Sequence, residues 1–259
     1  MSSDGASSGV LDIGRVIQEL FAVLGRNFVA FGLLALILTG IPAAVIYAIQ
    51  GSVLVSGDPT QVLGPRFGWS VLLGLVSGLF GVILQATIIY GTVSDLNNRP
   101  VSVAESLTAG LRAFLPVIGL AILLGLGVAL ASMLLLVPGI MLAIAWCVAI
   151  PAYVVEQTGV MAAFGRSAEL TRGSRWRIFG LFVIYFIAVI VIELVLGVFS
   201  RATGFATIGR LPVLTLLIFA PLIQMASTLI GSTGAAVLYV ELRRLRDGVG
   251  PQGLAAIFD

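Results

Sequence analysis

The residues best suited to binding a charged group lie in one short stretch, EQTGVMAAFGRSAELTRGSRWR, from Glu156 to Arg177. It holds four of the chain's fourteen arginines within twelve residues. Guanidinium groups suit phosphate because they present several N–H donors in a fixed fork. The stretch is therefore a candidate phospholipid-headgroup site, comprising Glu156, Arg166, Glu169, Arg172, Arg175, Trp176 and Arg177. The alternative is an interfacial anchor that fixes topology, with Trp176 at headgroup depth.

The residue types that usually perform catalysis are scarce. The chain has no histidine and no lysine, so the usual general bases and Schiff-base nucleophiles are absent. Cys147 lies in an apolar run without a neighbouring cation, and no Cys/His metal cluster or glycine-rich phosphate loop occurs. We therefore expect no enzyme, with no catalytic residue, metal or cofactor. The net charge of +2 gives no indication of a nucleic-acid partner.

The composition predicts that these residues are positioned by membrane-spanning helices. Hydrophobic residues make up 59% of the chain and charged residues 10%, against about 25% charged in soluble domains. A bilayer core needs about 20 apolar residues per helix. The bilayer core offers no hydrogen-bond partners to backbone N–H and C=O groups, so such runs are expected to be helical. We predict an all-α polytopic membrane protein with six transmembrane helices, at Phe28–Ile49, Trp69–Val93, Phe114–Val137, Gly139–Val155, Ile178–Phe199 and Pro212–Val240.

Proline and glycine mark two expected interruptions of these runs. Val137, Pro138 and Gly139 predict a tight turn between the third and fourth spans, because proline cannot continue a helix. Pro221 predicts a kink or a break in the sixth span, and the sequence leaves both open.

Three segments precede the odd-numbered spans and share apolar residues at helical spacing: 11–26, 102–112 and 160–172. Ser102 and Glu105 have the spacing of a capping box at a helix start. In the third segment, Val160, Ala163, Phe164, Ser167 and Leu170 share one face. We expect three parallel hairpin repeats, each preceded by a cytoplasmic amphipathic helix. The sequence leaves open whether these helices lie on lipid or tuck beneath the bundle.

The repeats are expected at about 10–95, 99–156 and 159–246, within a six-span domain of residues 10–248. A disordered tail (1–9) and a cytoplasmic tail (249–259) flank it. Three arginines lie on one predicted side, Arg66, Arg201 and Arg210. The other eleven lie on the opposite side: Arg15, Arg26, Arg99, Arg112, Arg166, Arg172, Arg175, Arg177, Arg243, Arg244 and Arg246. This bias places both termini in the cytoplasm, and we expect no removable signal peptide.

Three polar residues fall within predicted spans. Glu193 lies inside span five, where an acidic group is costly and usually faces a cavity or the bundle interior. It is either a proton or cation relay, a contact for a cationic headgroup, or a protonated packing residue. Gln85 and Gln224 are neutral amides, which more often join helices by hydrogen bonds.

The run from Val137 to Leu181 carries a further pattern: a proline-glycine turn, an apolar span, a proline, an acidic residue and R-S-x-x-L-T-R-G. The matching positions are Pro138, Gly139, Pro151, Glu156, Arg166, Ser167, Leu170, Thr171, Arg172 and Gly173. Ala235–Gly248 adds a closing Y-x-x-L-R. The chain resembles the bacterial glycerophosphoryl diester phosphodiesterase membrane-domain family, a largely uncharacterised group. The resemblance implies a multi-pass module of the bacterial inner membrane, without the phosphodiesterase barrel and its histidine-dependent chemistry.

Two functional hypotheses follow from the sequence. The first is a non-enzymatic lipid-binding or scaffold module in membrane or envelope maintenance. Its partners would be membrane phospholipids and either another membrane protein or a second copy of the chain. The alternative is a small pseudo-symmetric transporter or permease that uses Glu193.

Overall fold

The structure, a computed structural model, describes residues 11–47, 65–202 and 211–247. Both predicted tails and residues 48–64 and 203–210 lie outside this part. The secondary structure of the described residues is helical. The helices are α1 (Ile13–Arg26), α2 (Phe28–Ala35, continued to residue 47 through a π-helical turn at Leu36–Gly40), α3 (Pro65–Leu96), α4 (Val103–Leu134), α5 (Leu136–Trp146), α6 (Ala149–Glu156), α7 (Val160–Thr171), α8 (Arg175–Ala202) and α9 (Leu211–Asp247).

Five helical segments are long and apolar enough to cross a membrane: Phe28–Tyr47, Val71–Leu96, Val103–Leu134, Leu136–Glu156 and Phe219–Asp247. A sixth results if α7 and α8, which meet at a bend of 98°, count as one span. The prediction of an all-α protein with several membrane-spanning helices is therefore confirmed. At 1.5 Å per residue, the 32 residues of α4 extend about 48 Å, well beyond a hydrocarbon core of about 30 Å. The helix α4 is therefore long enough to extend beyond such a core.

The predicted turn at Val137, Pro138 and Gly139 is wrong in its position. Leu135 alone separates α4 from α5 and has an extended backbone, with φ −157° and ψ 140°. Pro138 lies in the first turn of α5, where a proline costs no intrahelical hydrogen bond. A Cβ on Gly139 would lie 2.8 Å from Cα of Ser132, so glycine allows α4 and α5 to approach closely here.

Pro221 does not break the sixth predicted span, since α9 runs without interruption from Leu211 to Asp247. The interruption occurs instead in the fourth span, where α5 ends at Trp146 and α6 begins at Ala149.

The three segments before the odd-numbered spans join them in three different ways. Asn27 alone separates α1 from α2. Residues 102–112 do not form a separate helix, because they begin the continuous helix α4. Ser102 caps that helix as predicted, with its Oγ accepting from the Glu105 N–H at 3.4 Å. Between α7 and α8, Gly173 has φ 86°, a left-handed conformation that a side chain would strain.

The apolar faces of α1 and α7 pack against protein. Val16, Leu20 and Val23 of α1 are buried, and α1 lies against α9. On α7, the Phe164 ring lies 4.6 Å from that of Trp146, and the Ser167 hydroxyl donates to the Ala145 carbonyl at 2.8 Å. Both helices therefore tuck against the bundle, which answers the question that the sequence left open.

The packed core lies at the end of the molecule that holds α1 and α7. Its members include Leu11, Val154, Leu170 and Ile178, together with Tyr239, which is fully buried. Leucines and methionine at the far end of α4 are strongly exposed. An apolar surface of this kind matches lipid rather than water.

Candidate functional site

Arg166, in the centre of the predicted headgroup site, is already paired with three carboxylates. Its Nε lies 3.1 Å from Glu156 Oε1, and its Nη1 lies 3.5 Å from Glu169 Oε2. Its Nη2 forms an ion pair with Asp247 at the end of α9. The side chain is 20% exposed. Arg166 therefore joins α6, α7 and α9 and has little capacity left for a ligand.

These contacts extend into a closed circuit that we call the charged ring: Glu156, Arg166, Asp247, Arg243 and Tyr239. The Tyr239 hydroxyl donates to Glu156 Oε1 at 2.8 Å and accepts from Arg243 Nη1 at 3.1 Å. Arg243 Nε closes the ring as an ion pair 3.4 Å from Asp247 Oδ2, although it makes no hydrogen bond there. Every charge in the ring faces an opposite charge, which is how a protein tolerates buried ions.

The ring keeps Arg166 charged. Burial lowers the pKa of Arg166, but the hydrogen bonds and charges of Asp247 and Glu156 outweigh it, so the pKa lies above the usual arginine value. A raised pKa contributes stability that is complete below the unfolded-state pKa and is lost only as pH rises through the folded-state pKa. Both values are far above neutrality, so this contribution is constant near neutral pH.

Two charged pairs elsewhere tie α1 to the ends of the spans. Arg26 Nη2 donates to Asp95 Oδ2 at 2.6 Å, and the Asn27 amide donates to Asp95 Oδ1 at 2.8 Å. The hydrogen bond to Asp95 raises the pKa of Arg26. Glu241, on α9, contacts Arg15 at 3.4 Å and Arg244 at 2.7 Å.

The remaining residues of the predicted site spread around the joint between α7 and α8. Glu169 is 67% exposed. The i,i+3 ion pair between Arg166 and Glu169 forms, whereas no ion pair between Glu169 and Arg172 occurs among the described residues. The Arg172 carbonyl accepts from the Arg246 guanidinium. The site therefore does not converge on one point.

The three residues that begin α8 differ in their surroundings. Arg175 Nε is buried without a hydrogen-bond partner among the described residues. Trp176 is 85% exposed and meets the Phe179 ring edge-on at 6.1 Å, so it is placed as an interfacial aromatic would be. Arg177 Nη1 donates to the Leu11 carbonyl at 2.5 Å.

Below Arg177 lies an apolar groove of about 710 Å³ between α1, α8 and α9. Leu181 and Ile184 line it on α8, four and seven residues after Arg177, so all three share one helix face. Val16 and Leu20 contribute from α1. The lining is apolar, and Arg177, which is not itself a lining residue, lies about one helical turn before Leu181 on the same face of α8. The lining residues of the three helices are far apart in the chain, so the groove cannot be predicted from sequence spacing.

A second depression, which we call the polar cleft, has a volume of about 520 Å³ between α3, α4 and α6. Tyr90, Tyr153, Glu105, Arg112 and Gln157 line it. Of these residues, Arg112 is one of the arginines whose distribution predicts the topology. The tyrosines recur near the ends of even-numbered spans, but periodicity alone gave no reason to bring them together.

Of the three polar residues within the predicted spans, the structure describes the side chains of two, Gln85 and Gln224. Glu193 lies in α8, but its side chain is outside the part of the chain whose side chains the structure describes. The same applies to Arg66, Arg201 and Arg210. Gln85 is half-buried and Gln224 is exposed, and neither side chain hydrogen-bonds another described residue. Within the described ranges, no group of three or more His, Cys, Asp or Glu residues is placed to hold a metal ion.

Comparisons with known proteins do not identify the chain, because no family model, no curated protein and no solved structure matches it. The family resemblance of residues 137–181 therefore stays a prediction.

Proposed function

We propose that this protein is a non-enzymatic integral membrane protein that binds a phospholipid, with an acyl chain in the apolar groove and the phosphate beside Arg177. The observation that supports this proposal best is the position of Arg177 about one turn before the groove-lining Leu181, on the same face of α8. An apolar groove with a guanidinium about one helical turn beyond its lining matches a molecule that is apolar along its length and anionic at its end.

The groove is long enough to hold a lipid tail that spans one leaflet. On α9 its lining runs from Phe219 to Gly234, about 22 Å along the helix axis at 1.5 Å per residue. The hydrocarbon core of a bilayer is about 30 Å thick, so one leaflet accounts for about half of that.

Selectivity would come from the polar end of the groove. Lipid tails are as apolar as the groove, so moving a chain from bilayer to groove gains little free energy. A phosphate beside a guanidinium, in contrast, forms charge-assisted hydrogen bonds that are stronger than neutral ones. Arg177 uses Nη1 for the Leu11 carbonyl and retains its other N–H donors. That bond ties the guanidinium to the residue two positions before α1.

We place the protein in the bacterial inner membrane with both termini and the charged ring on the cytoplasmic side. The arginine bias and the family resemblance support this placement. The proposed architecture is three hairpin repeats, and the proposed role is a lipid-binding or scaffold module in envelope maintenance.

The test is native mass spectrometry of protein released from mixed-lipid membranes. Gly231→Leu places a side chain into the groove, where the nearest atom to a new Cβ is the Tyr185 hydroxyl at 3.9 Å. Gly119→Leu is the matched control, since a Cβ there meets nothing within 4 Å and Gly119 is outside the groove. We expect retained phospholipid in the wild type and the control, and its loss in Gly231→Leu and Arg177→Gln. Equal retention in all four proteins contradicts the proposal.

A further inference from the structure

Three arginines on the segments that precede the odd-numbered spans have different partners. Arg26 pairs with Asp95 at the end of α3. Arg166 pairs with Glu156 at the end of α6 and with Asp247 at the end of α9. Arg112, on the segment that begins α4, forms no ion pair or hydrogen bond with another described residue. One of the three guanidinium groups is thus left exposed to a ligand.

A carboxylate next to the cleft in sequence, that of Glu156, is paired elsewhere. Tyr153 and Gln157 line the polar cleft beside Arg112, and Glu156 lies between them in sequence. Glu156 instead accepts from Arg166 and Tyr239 as part of the charged ring. The cleft therefore keeps the guanidinium of Arg112 unpaired among the described residues, whereas Arg26 and Arg166 are each paired with a carboxylate.

A carboxylate without a partner lies on the same wall of the cleft. Glu105 precedes Arg112 by seven residues on α4, two helical turns, so their Cα atoms are about 10 Å apart on one face. The Glu105 side chain also forms no ion pair with another described residue. The Tyr153 hydroxyl, which makes no hydrogen bond to another described residue, lies across the cleft as a further donor.

The length of α4 allows the cleft to lie outside the hydrocarbon region. Because α4 is about 18 Å longer than a bilayer core, its first two to three turns can project from the membrane. Glu105 and Arg112 lie on these turns. A volume of about 520 Å³ is within the range of small-molecule sites, which runs from about 300 to 1,000 Å³.

We propose that the polar cleft binds a zwitterionic molecule, with its oxyanion at Arg112 and the Tyr153 hydroxyl and its ammonium group at Glu105. A simple anion would leave Glu105 unmatched, and a simple cation would leave Arg112 unmatched. The same chemistry occurs in a water-soluble phosphorylated amine and in an amine-bearing phospholipid headgroup. This site is separate from the apolar groove and does not depend on the function proposed for it.

Isothermal titration in nanodiscs made of phosphatidylglycerol, which carries no amine, tests the soluble source. The probe is phosphorylethanolamine, with inorganic phosphate and ethanolamine as the two half-ligands. We expect one phosphorylethanolamine per chain, bound about tenfold or more tighter than either half. Arg112→Gln should weaken the binding of phosphorylethanolamine and phosphate about tenfold, whereas Glu105→Gln should weaken only that of phosphorylethanolamine. Arg172→Gln, another exposed arginine, is the control and should bind like the wild type.

Nanodiscs that contain phosphatidylethanolamine test the lipid source. If the ligand is a headgroup, native mass spectrometry should show one more phosphatidylethanolamine per chain on the wild type than on Arg112→Gln, and phosphorylethanolamine should displace that molecule. Gly231→Leu and Arg177→Gln should keep this displaceable molecule whether or not they lose the phospholipid of the groove, which separates this site from the apolar groove. The proposal is overturned if neither source binds, or if Arg112→Gln and Glu105→Gln bind as the wild type does.

Discussion

The charged ring and the polar cleft contain the same types of residue but differ in whether their charges are paired. Each combines a tyrosine near the end of an even-numbered span with an arginine from a preceding segment. In the ring, Arg166 faces the two carboxylates of Glu156 and Asp247, and it also pairs with Glu169 outside the ring. In the cleft, Arg112 and Glu105 have no partner among the described residues. Arg166, in the arginine-rich stretch, is therefore already neutralised, whereas Arg112, outside that stretch, is available to a ligand.

The physical reason for the difference is burial. Arg166 is 20% exposed and Glu156 is 13% exposed, so each charge needs a partner inside the protein. Arg112 is exposed, and water solvates it until a ligand arrives. Arg112 can therefore bind a ligand without breaking an ion pair that stabilises the fold, whereas Arg166 cannot.

The largest expected effect is the loss of stability in Arg166→Gln. The substitution leaves Glu156 and Asp247 partly buried beside each other without their shared cation, which should cost about 3 kcal/mol. Thermal unfolding in nanodiscs should show this as a fall in Tm of roughly 6–12 °C. Arg112→Gln is the matched variant and should unfold as the wild type does. Equal Tm values for the two variants would remove the distinction between ring and cleft.

A second, smaller contrast comes from the two tyrosines. Tyr239→Phe removes the hydroxyl that connects Glu156 with Arg243 in a buried position, at an expected cost of about 1–2 kcal/mol. Tyr153→Phe removes no hydrogen bond to a described residue and should leave Tm unchanged while weakening phosphorylethanolamine binding in the cleft. If Tyr153→Phe lowers Tm as much as Tyr239→Phe does, Tyr153 has a structural role that the cleft proposal excludes.

The sequence predicted well what depends on composition and local spacing. The helical membrane class follows from apolar runs, and Ser102 caps its helix because an N-cap acts over three residues. The position of the turn near Pro138 was wrong because proline is equally suited to the first turn of a helix, so Leu135 became the break.

The candidate site could not be predicted in the same way. Arg166 lies 81 residues from Asp247 in sequence, so their pairing depends on the packing of α7 against α9. The i,i+3 pair with Glu169 was predictable but is the most exposed of the three. Within the described residues, the same limit holds for the groove and the cleft, each of which is formed by three helices.

Gln157→Glu should give Arg112 in the cleft a carboxylate partner, as Arg166 has in the ring. Gln157 lines the cleft, and a carboxylate there offers Arg112 an internal partner. An exposed pair of this kind adds at most about 1 kcal/mol of stability. It should nevertheless compete with the oxyanion of phosphorylethanolamine and weaken its binding, measured by the same titration. Unchanged affinity would indicate that the oxyanion does not bind at Arg112.

The smallest expected effect is the different response of the charged ring and the polar cleft to ionic strength. Raising the ionic strength from about 0.1 M to about 1 M shortens the Debye length from about 10 Å to about 3 Å, which screens exposed charges far more than buried ones. Phosphorylethanolamine binding in the cleft should weaken, because Arg112 and Glu105 are both exposed. The loss of Tm caused by Arg166→Gln should stay nearly the same at both salt concentrations, because the ring is largely shielded from solvent. If salt abolished that loss of Tm, the ring would act as a set of ordinary surface ion pairs, and the contrast with the cleft would rest on geometry alone.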